Sequence, residues 1–189
     1  SIGMGERYDA LITVPEGITA INAVPLGKEG AARVLIKASK GSVPPILREA
    51  PVTARLANYD SLKAAPDVRL TQRRPDRELV VTLAGGTDGY NWTINGRKYP
   101  DTEPLVVSGG ERVRLTFDNQ SMMWHPMHLH GHRFAVGQTD GAVKDTVAVM
   151  AMQKRSIEFD ADNPGQWMLH CHNAYHAESG MMTTLAYQE

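Results

Sequence analysis

The chain has 189 residues, 22 % of them charged, and its 20 Lys and Arg nearly cancel its 21 Asp and Glu to leave a formal net charge of -1. That length suffices for one full domain with a good core and part of another. The charge balance leaves no basic face for nucleic acid or an anionic membrane, and no apolar run approaches the roughly 18 residues of a membrane span.

In chain order, "RYDALITV" (7–14) and "ARVLIKAS" (32–39) read as two strands, joined by a Gly- and Pro-punctuated connection. Prolines 44, 45, 51, 66 and 75 then interrupt the chain, with a short helical stretch expected near residues 58–65. Residues 41–76 are therefore expected to be a linker. From residue 77 the pattern becomes that of an all-β domain. Strands are predicted over 78–85, 90–96, 104–108, 111–119, 132–138, 145–150, 154–161, 165–171 and 182–188. Val113, Leu115 and Phe117 alternate with Arg112, Arg114 and Thr116, and Ile157 and Phe159 alternate with Ser156, Glu158 and Asp160. One short helix is expected after His172, through "NAYHAES", ending at Gly180. Many short strands at this spacing predict a β-sandwich or barrel. The chain opens at Ser1 without a signal-like segment, so any targeting peptide is expected to have been removed or to lie outside this piece.

The single cysteine excludes an internal disulfide, and all seven histidines fall between His125 and His176. Cys171, His176 and Met181 offer a thiolate, an imidazole and a thioether within eleven residues. With a second histidine these make the ligand set of a blue-copper electron-transfer site, soft enough for Cu(I) and nitrogenous enough for Cu(II). A structural zinc site would instead offer more cysteines and no methionine. His170 and His172 flank Cys171, and a strand sends alternate side chains to opposite faces. Cys171 is thus expected to face one centre and its neighbours a second behind it. The segment "WHPMHLHGHRF" supplies the partners. His125 completes the first centre, while His128 and His130 join His170 and His172 at the second. His132 would share their face in an extended chain but is assigned to packing or hydrogen bonding. Asn91-Trp92-Thr93 and Asn119-Gln120-Ser121 match the glycosylation pattern but read as strand and turn.

"HPMHLHGHRF" and "HCHNAYHAESGM" resemble the two copper signatures of the multicopper oxidases, in their C-terminal cupredoxin domain. "YNWTINGRKYP", "GERVRLTFDN", "KDTVAV" and "DNPGQWMLHCH" resemble framework segments of that domain, and "GERYDALI" the end of the domain before it. The resemblance implies a cupredoxin-like Greek-key sandwich over 77–189, preceded by strands of another cupredoxin domain over 1–40. It implies a type 1 copper on His125, Cys171, His176 and Met181, a type 2 ligand in His128, and type 3 ligands in His130, His170 and His172. It further implies one-electron oxidation of a phenolic or metal-ion reductant, dioxygen as acceptor, and a periplasmic or extracellular location. The family's trinuclear cluster takes eight histidines, half from an N-terminal domain, so only half is expected here. The other half would come from the same protein or another chain. Met122, Met123, Met127, Met150 and Met152 are candidates for a soft surface near the site that would suit a metal-ion substrate, although methionine is more often core filler and a phenolic substrate is the reading preferred here. Glu178, beyond Ala177, and Asp145 are the candidate acids for proton delivery. The alternative is a blue-copper electron-transfer or copper-binding domain without oxidase activity of its own, which leaves four histidines unused. A copper nitrite reductase has one histidine beside its cysteine, and His172 argues against it.

Overall fold

The computed structural model describes residues 2–25, 28–47, 58–87 and 89–188. The chain divides into two compact units, Tyr8–Leu56, and Ser1–Arg7 together with Ala57–Glu189. The smaller unit holds one antiparallel hairpin of β1 (Ile18–Ala23) and β2 (Ala32–Lys37), with Ile18 opposite Lys37 and Ala23 opposite Ala32. The strand expected over 7–14 does not form. A strand needs a neighbour to satisfy its backbone, and Ile18–Ala23 takes the place beside β2 while Leu11 and Ile12 lie exposed. Residues 48–57 of the expected linker lie outside the described residues. The helical stretch expected near 58–65 is a single 3-10 turn, Tyr59–Ser61, whose N-cap Asn58 accepts from the Ser61 N–H.

The larger unit is built from β3 (Arg77–Gly85), β4 (Trp92–Ile94), β5 (Leu105–Ser108), β6 (Arg112–Asn119), β7 (His125–Leu129) and β8 (Phe134–Val136). It continues with β9 (Val143–Lys144), β10 (Thr146–Val149), β11 (Lys154–Asp160), β12 (Gln166–Cys171), helix α1 (Ala174–Glu178) and β13 (Met182–Gln188). One sheet runs β10-β7-β12-β13-β5 and the other β4-β3-β6-β11-β8-β9. Pairing is antiparallel except for β13 with β5 and β3 with β6. This is the all-β, cupredoxin-like sandwich, and its core follows from the period-two pattern. Val113, Leu115 and Phe117 of β6 and Ile157 and Phe159 of β11 are buried among Leu83, Trp92, Phe134, Leu129 and Leu169. Each such side chain contributes about 1.5–3 kcal/mol of burial.

The outward face of β6 and β11 departs from the simple alternation. Arg112 and Glu158, expected toward solvent, are buried, and residues 71–76 meet Arg112. Arg112 Nη1 donates to the Thr71 carbonyl and its backbone N–H to Asp76 Oδ2. Its guanidinium also grips both oxygens of Asp160, at 2.9 and 3.1 Å, while Arg114 donates to Glu158. Buried charge survives only when paired in this way.

A second bidentate pair, Arg77 to Glu111 at 2.7 and 2.8 Å, ties the start of β3 to the turn before β6. The Arg77 hydrogen bonds first, and then the Ser108 N–H, hold the Glu111 carboxyl at about 2, against an ordinary 4.5. A carboxyl depressed on folding adds stability that is full above its unfolded value and lost as pH falls through its folded one. Thermal melting against pH should therefore give the E111Q variant a flatter acid limb than the parent between pH 4.5 and about 2. Parallel limbs would remove Glu111 from the account.

Candidate metal centres

β12 lies between β7 and β13, with Leu169 opposite Leu129, His170 opposite His128 and Cys171 opposite Met127. Successive strand residues face opposite ways. Met127, Leu129, Leu169 and Cys171 therefore enter the core, and His128 and His170 turn to the other side. His125, two before Met127, shares the inward face, and the odd spacing from His125 to His128 puts those two histidines on opposite sides. The same parity separates the candidate methionines. Met127 is core filler, fully buried, whereas Met122, Met123, Met150 and Met152 are exposed.

Inside, the Nδ1 atoms of His125 and His176 stand 3.0 Å apart, and Cys171 Sγ lies 3.8 and 3.7 Å from them. The three residues and Met181 are fully buried. Asn173 caps α1 by accepting from the Tyr175 N–H, and the short helix turns His176 inward. The chain returns at Gly180, with φ +116, where an added Cβ would lie 2.9 Å from the Trp92 carbonyl oxygen. Cys171 N–H then donates to the Met181 carbonyl, so the thiol and thioether residues are adjacent in backbone as well as in chemistry. Trp92 stacks on His176 at 4.1 Å and meets His125 edge-on at 5.1 Å. Ser121 Oγ accepts from His125 Nε2 at 2.8 Å, leaving Nδ1 as the free lone pair.

Burial, and then neighbouring His176, push His125 down to about 3, burial pushes His176 down to about 4, and burial pushes the Cys171 thiol up to about 12. The imidazoles are thus neutral and ready to ligate near pH 7, while the thiol would release its proton to solvent on binding a cation. Two neutral imidazoles, a thiol and a neighbouring thioether in a closed apolar pocket fit copper by donor softness.

On the other side, His130 Nε2 and His170 Nε2 are 3.1 Å apart. His128, His130 and His170 bring one ring nitrogen each within 4.8 Å of one another. The His172 ring lies 5.8 Å from that of His128 and 5.9 Å from that of His170. Second partners orient these rings. His128 Nδ1 donates to the Asp145 carbonyl at 2.8 Å, and His170 Nδ1 to the Cys171 carbonyl at 2.9 Å. Burial is the first cause that keeps both below the ordinary histidine range.

His132 does not share this face. Gly131, at φ +69 with the Trp167 ring packed where a Cβ would sit, turns the chain. His132 is buried, with Nδ1 on the His130 carbonyl and Nε2 on the Tyr187 hydroxyl at 2.6 Å. Of the two acids, Asp145 stands beside His128, while Glu178 is exposed on α1. Burial acts to raise the Asp145 carboxyl, but Arg7 outweighs it and the net shift is downward. Trp92, Ser121, Asn173 and Gly5 escaped the sequence reading. Each lies in a segment the sequence singled out, Trp92 as an aromatic inward on a strand, but nothing in the sequence links any of them to the histidine it touches.

The family profile described as "Multicopper oxidase" matches residues 72–189. The multicopper oxidase MmcO of Mycobacterium tuberculosis is 44 % identical over 98 % of this chain and 38 % of its own length. Copper resistance protein A of Pseudomonas syringae pv. tomato is 38 % identical over 62 % of this chain and 20 % of its length. The chain thus spans well under half of these relatives. In fold it is similar to the McoA multicopper oxidase of Aquifex aeolicus (TM-score 0.64, 24 % identity, 91 % of this chain and 41 % of that one). It is also similar to Fet3p, "a Multicopper Oxidase that Functions in Iron Import" (TM-score 0.68, 19 % identity, 88 % and 41 %).

The Ser121→Ala variant should lose about 1–3 kcal/mol in chemical denaturation of the metal-free protein, because it strands the buried His125 Nε2 without an acceptor. A loss under 0.5 kcal/mol, the level of a typical surface substitution, would show that the contact does not hold the ring.

Proposed function

The chain belongs to the multicopper oxidases, and from that premise we propose that it carries the electron-entry site of a copper-dependent oxidoreductase and half of its dioxygen-reducing cluster. The alternation along His170-Cys171-His172, buried thiol inward and both histidines toward His128 and His130, is the observation that supports this reading. His125, Cys171, His176 and Met181 would hold a type 1 copper. His128 would serve the type 2 copper, and His130, His170 and His172 the type 3 pair, completed by four histidines of an N-terminal cupredoxin domain of the same protein or another chain. We read residues 1–40 as the end of a preceding cupredoxin domain, 41–76 as a linker and 77–189 as the C-terminal domain, with Ser1–Arg7 and the chain from Ala57 onward grouped with the C-terminal unit. Bound copper supplies one-electron oxidation of a phenolic, aromatic or metal-ion reductant and reduction of dioxygen to water.

The chain's own contribution is positional. Trp92 and the surrounding core keep water from Cys171 and from the Nδ1 atoms of His125 and His176, and Ser121 keeps Nδ1 of His125 free. Cys171 joins the two clusters through its covalent bonds to both neighbours and through its carbonyl, which accepts from His170 Nδ1. Such second partners set ligand basicity and orientation. Asp145 is the better placed of the two acids for moving a proton near His128.

A metal-ion reductant is favoured by the exposed thioethers of Met122, Met123, Met150 and Met152. Asn119 Nδ2 pins their two loops together through the Met123 and Met150 carbonyls, at 2.7 and 3.0 Å, and Asn119 Oδ1 accepts from Ser121 beside His125. A periplasmic or extracellular location is proposed on the family resemblance alone. No helix among the described residues is long and apolar enough to cross a membrane.

Copper counting with visible absorption and paramagnetic resonance on the intact protein tests the proposal. The expected result is an intense blue band, near four coppers per molecule and oxygen uptake, with Cys171→Ser abolishing the band. One blue copper without oxygen uptake would favour the alternative, an electron-transfer or copper-binding domain. A parent protein that stays colourless after Cu(I) and air would overturn the first site.

A further inference from the structure

We propose that the segment Gly3–Arg7 positions the second histidine cluster, with Gly5 setting the ring of His172 and Arg7 steadying His128. The proposal rests on reading that cluster as a metal site. Gly5 has φ +79, and a Cβ there would lie 2.4 Å from Cδ2 and 2.6 Å from Cγ of His172. The imidazole is therefore laid directly on the glycine backbone. The His172 main chain is fixed separately, its N–H donating to the Pro126 carbonyl at 2.6 Å, so the glycine contact is free to decide the ring plane.

Two residues on, Arg7 Nη2 donates to Asp145 Oδ2 at 2.5 Å, and Lys144 Nζ donates back to the Arg7 carbonyl at 2.6 Å. Asp145 is the residue whose carbonyl takes the Nδ1 proton of His128, and the same carbonyl accepts the Leu129 N–H. Thr146 Oγ1 bridges His128 Nδ1, at 3.0 Å, to Asp145 Oδ1, at 3.2 Å. A carbonyl accepts only, so His128 carries its proton on Nδ1 and presents the Nε2 lone pair for a metal. Arg7 thus acts on a ligand through its partner.

The segment is held in place independently of both contacts. Glu6 is buried, accepts the Gly3 N–H at 2.6 Å and takes the Tyr59 hydroxyl, which in turn accepts the Ala148 N–H of β10 at 2.8 Å. This staple fixes the strap against the strand next to β7. The Arg7 side chain is 74 % exposed, so its ion pair adds little to stability and its loss should leave the fold intact.

The test uses the intact protein with histidine-selective 15N labelling, read metal-free by imidazole resonances and then by Cu(II) competition against a chelator. G5A should move the His172 ring resonances and weaken Cu(II) binding at the second cluster about 10–100-fold. R7Q should blur the single-tautomer signature of His128 and weaken the same site, and R7K should restore both. The blue absorption of the first site should be unchanged throughout, which controls for folding. G96A is the backbone control, since Gly96 has φ +77 with nothing within 4 Å of an added Cβ. It should move neither readout. Parent-like resonances and affinity in both G5A and R7Q would overturn the proposal. A parent that binds no Cu(II) at the second cluster would overturn the metal reading instead, while the metal-free ring resonances still decide the role of the strap.

Discussion

Antiparallel pairing sets Cys171 opposite Met127 and His170 opposite His128, and the two-residue period of a strand does the rest. A slip of one residue in either strand would exchange the faces, sending the thiol toward solvent and the histidines into the core. The apolar residues Leu129 and Leu169, paired at the next position and buried, hold that register through the core. One constraint therefore serves stability and both clusters at once. It places the buried group of His125, Cys171 and His176 and the histidines around His128 and His170 back to back, a single residue apart.

The two clusters differ in environment, and the difference is physical rather than a matter of residue type. The inner one is dry, so its imidazoles are neutral and its thiol keeps its proton until a cation displaces it. Its rings are clamped by Trp92 and oriented by Ser121 and the α1 cap. The outer one is more open, with His130 and His172 exposed, and its order comes from hydrogen bonds to backbone carbonyls and from the Gly3–Arg7 strap. The inner cluster is fixed by packing, the outer one at its edges by hydrogen bonds.

Much of this was legible in the sequence. Alternation in "ERVRLTF" and "KRSIEFD" gave strands with buried Val113, Leu115, Phe117, Ile157 and Phe159, and local signals gave the short helix before Gly180. The flanking of one cysteine by two histidines predicted two faces, because strand geometry is local. Reading failed where the outcome depended on a distant partner. Residues 7–14 looked like a strand, but pairing with β2 went to Ile18–Ala23. Met127 was one of five candidate surface methionines, and only its parity with Cys171 across β7 and β12 shows it to be core filler. Arg112 and Glu158 looked like solvent-facing charges, but both are buried, Arg112 against Thr71 and Asp76 and Glu158 beside Arg112 and Arg114.

The sequence by itself determined the side-chain chemistry, the fold class and the side of the chain on which Cys171 and its flanking histidines fall, since these follow from residue type and a two-residue period. Only the tertiary structure decided what holds those side chains in place. The stacking of Trp92 on His176, the Ser121 contact to His125, the turn of His132 onto Tyr187 and the fit of Gly5 beneath His172 join residues far apart or on different strands. No local pattern encodes those distances, because they are set by how the two sheets and their loops close on one another.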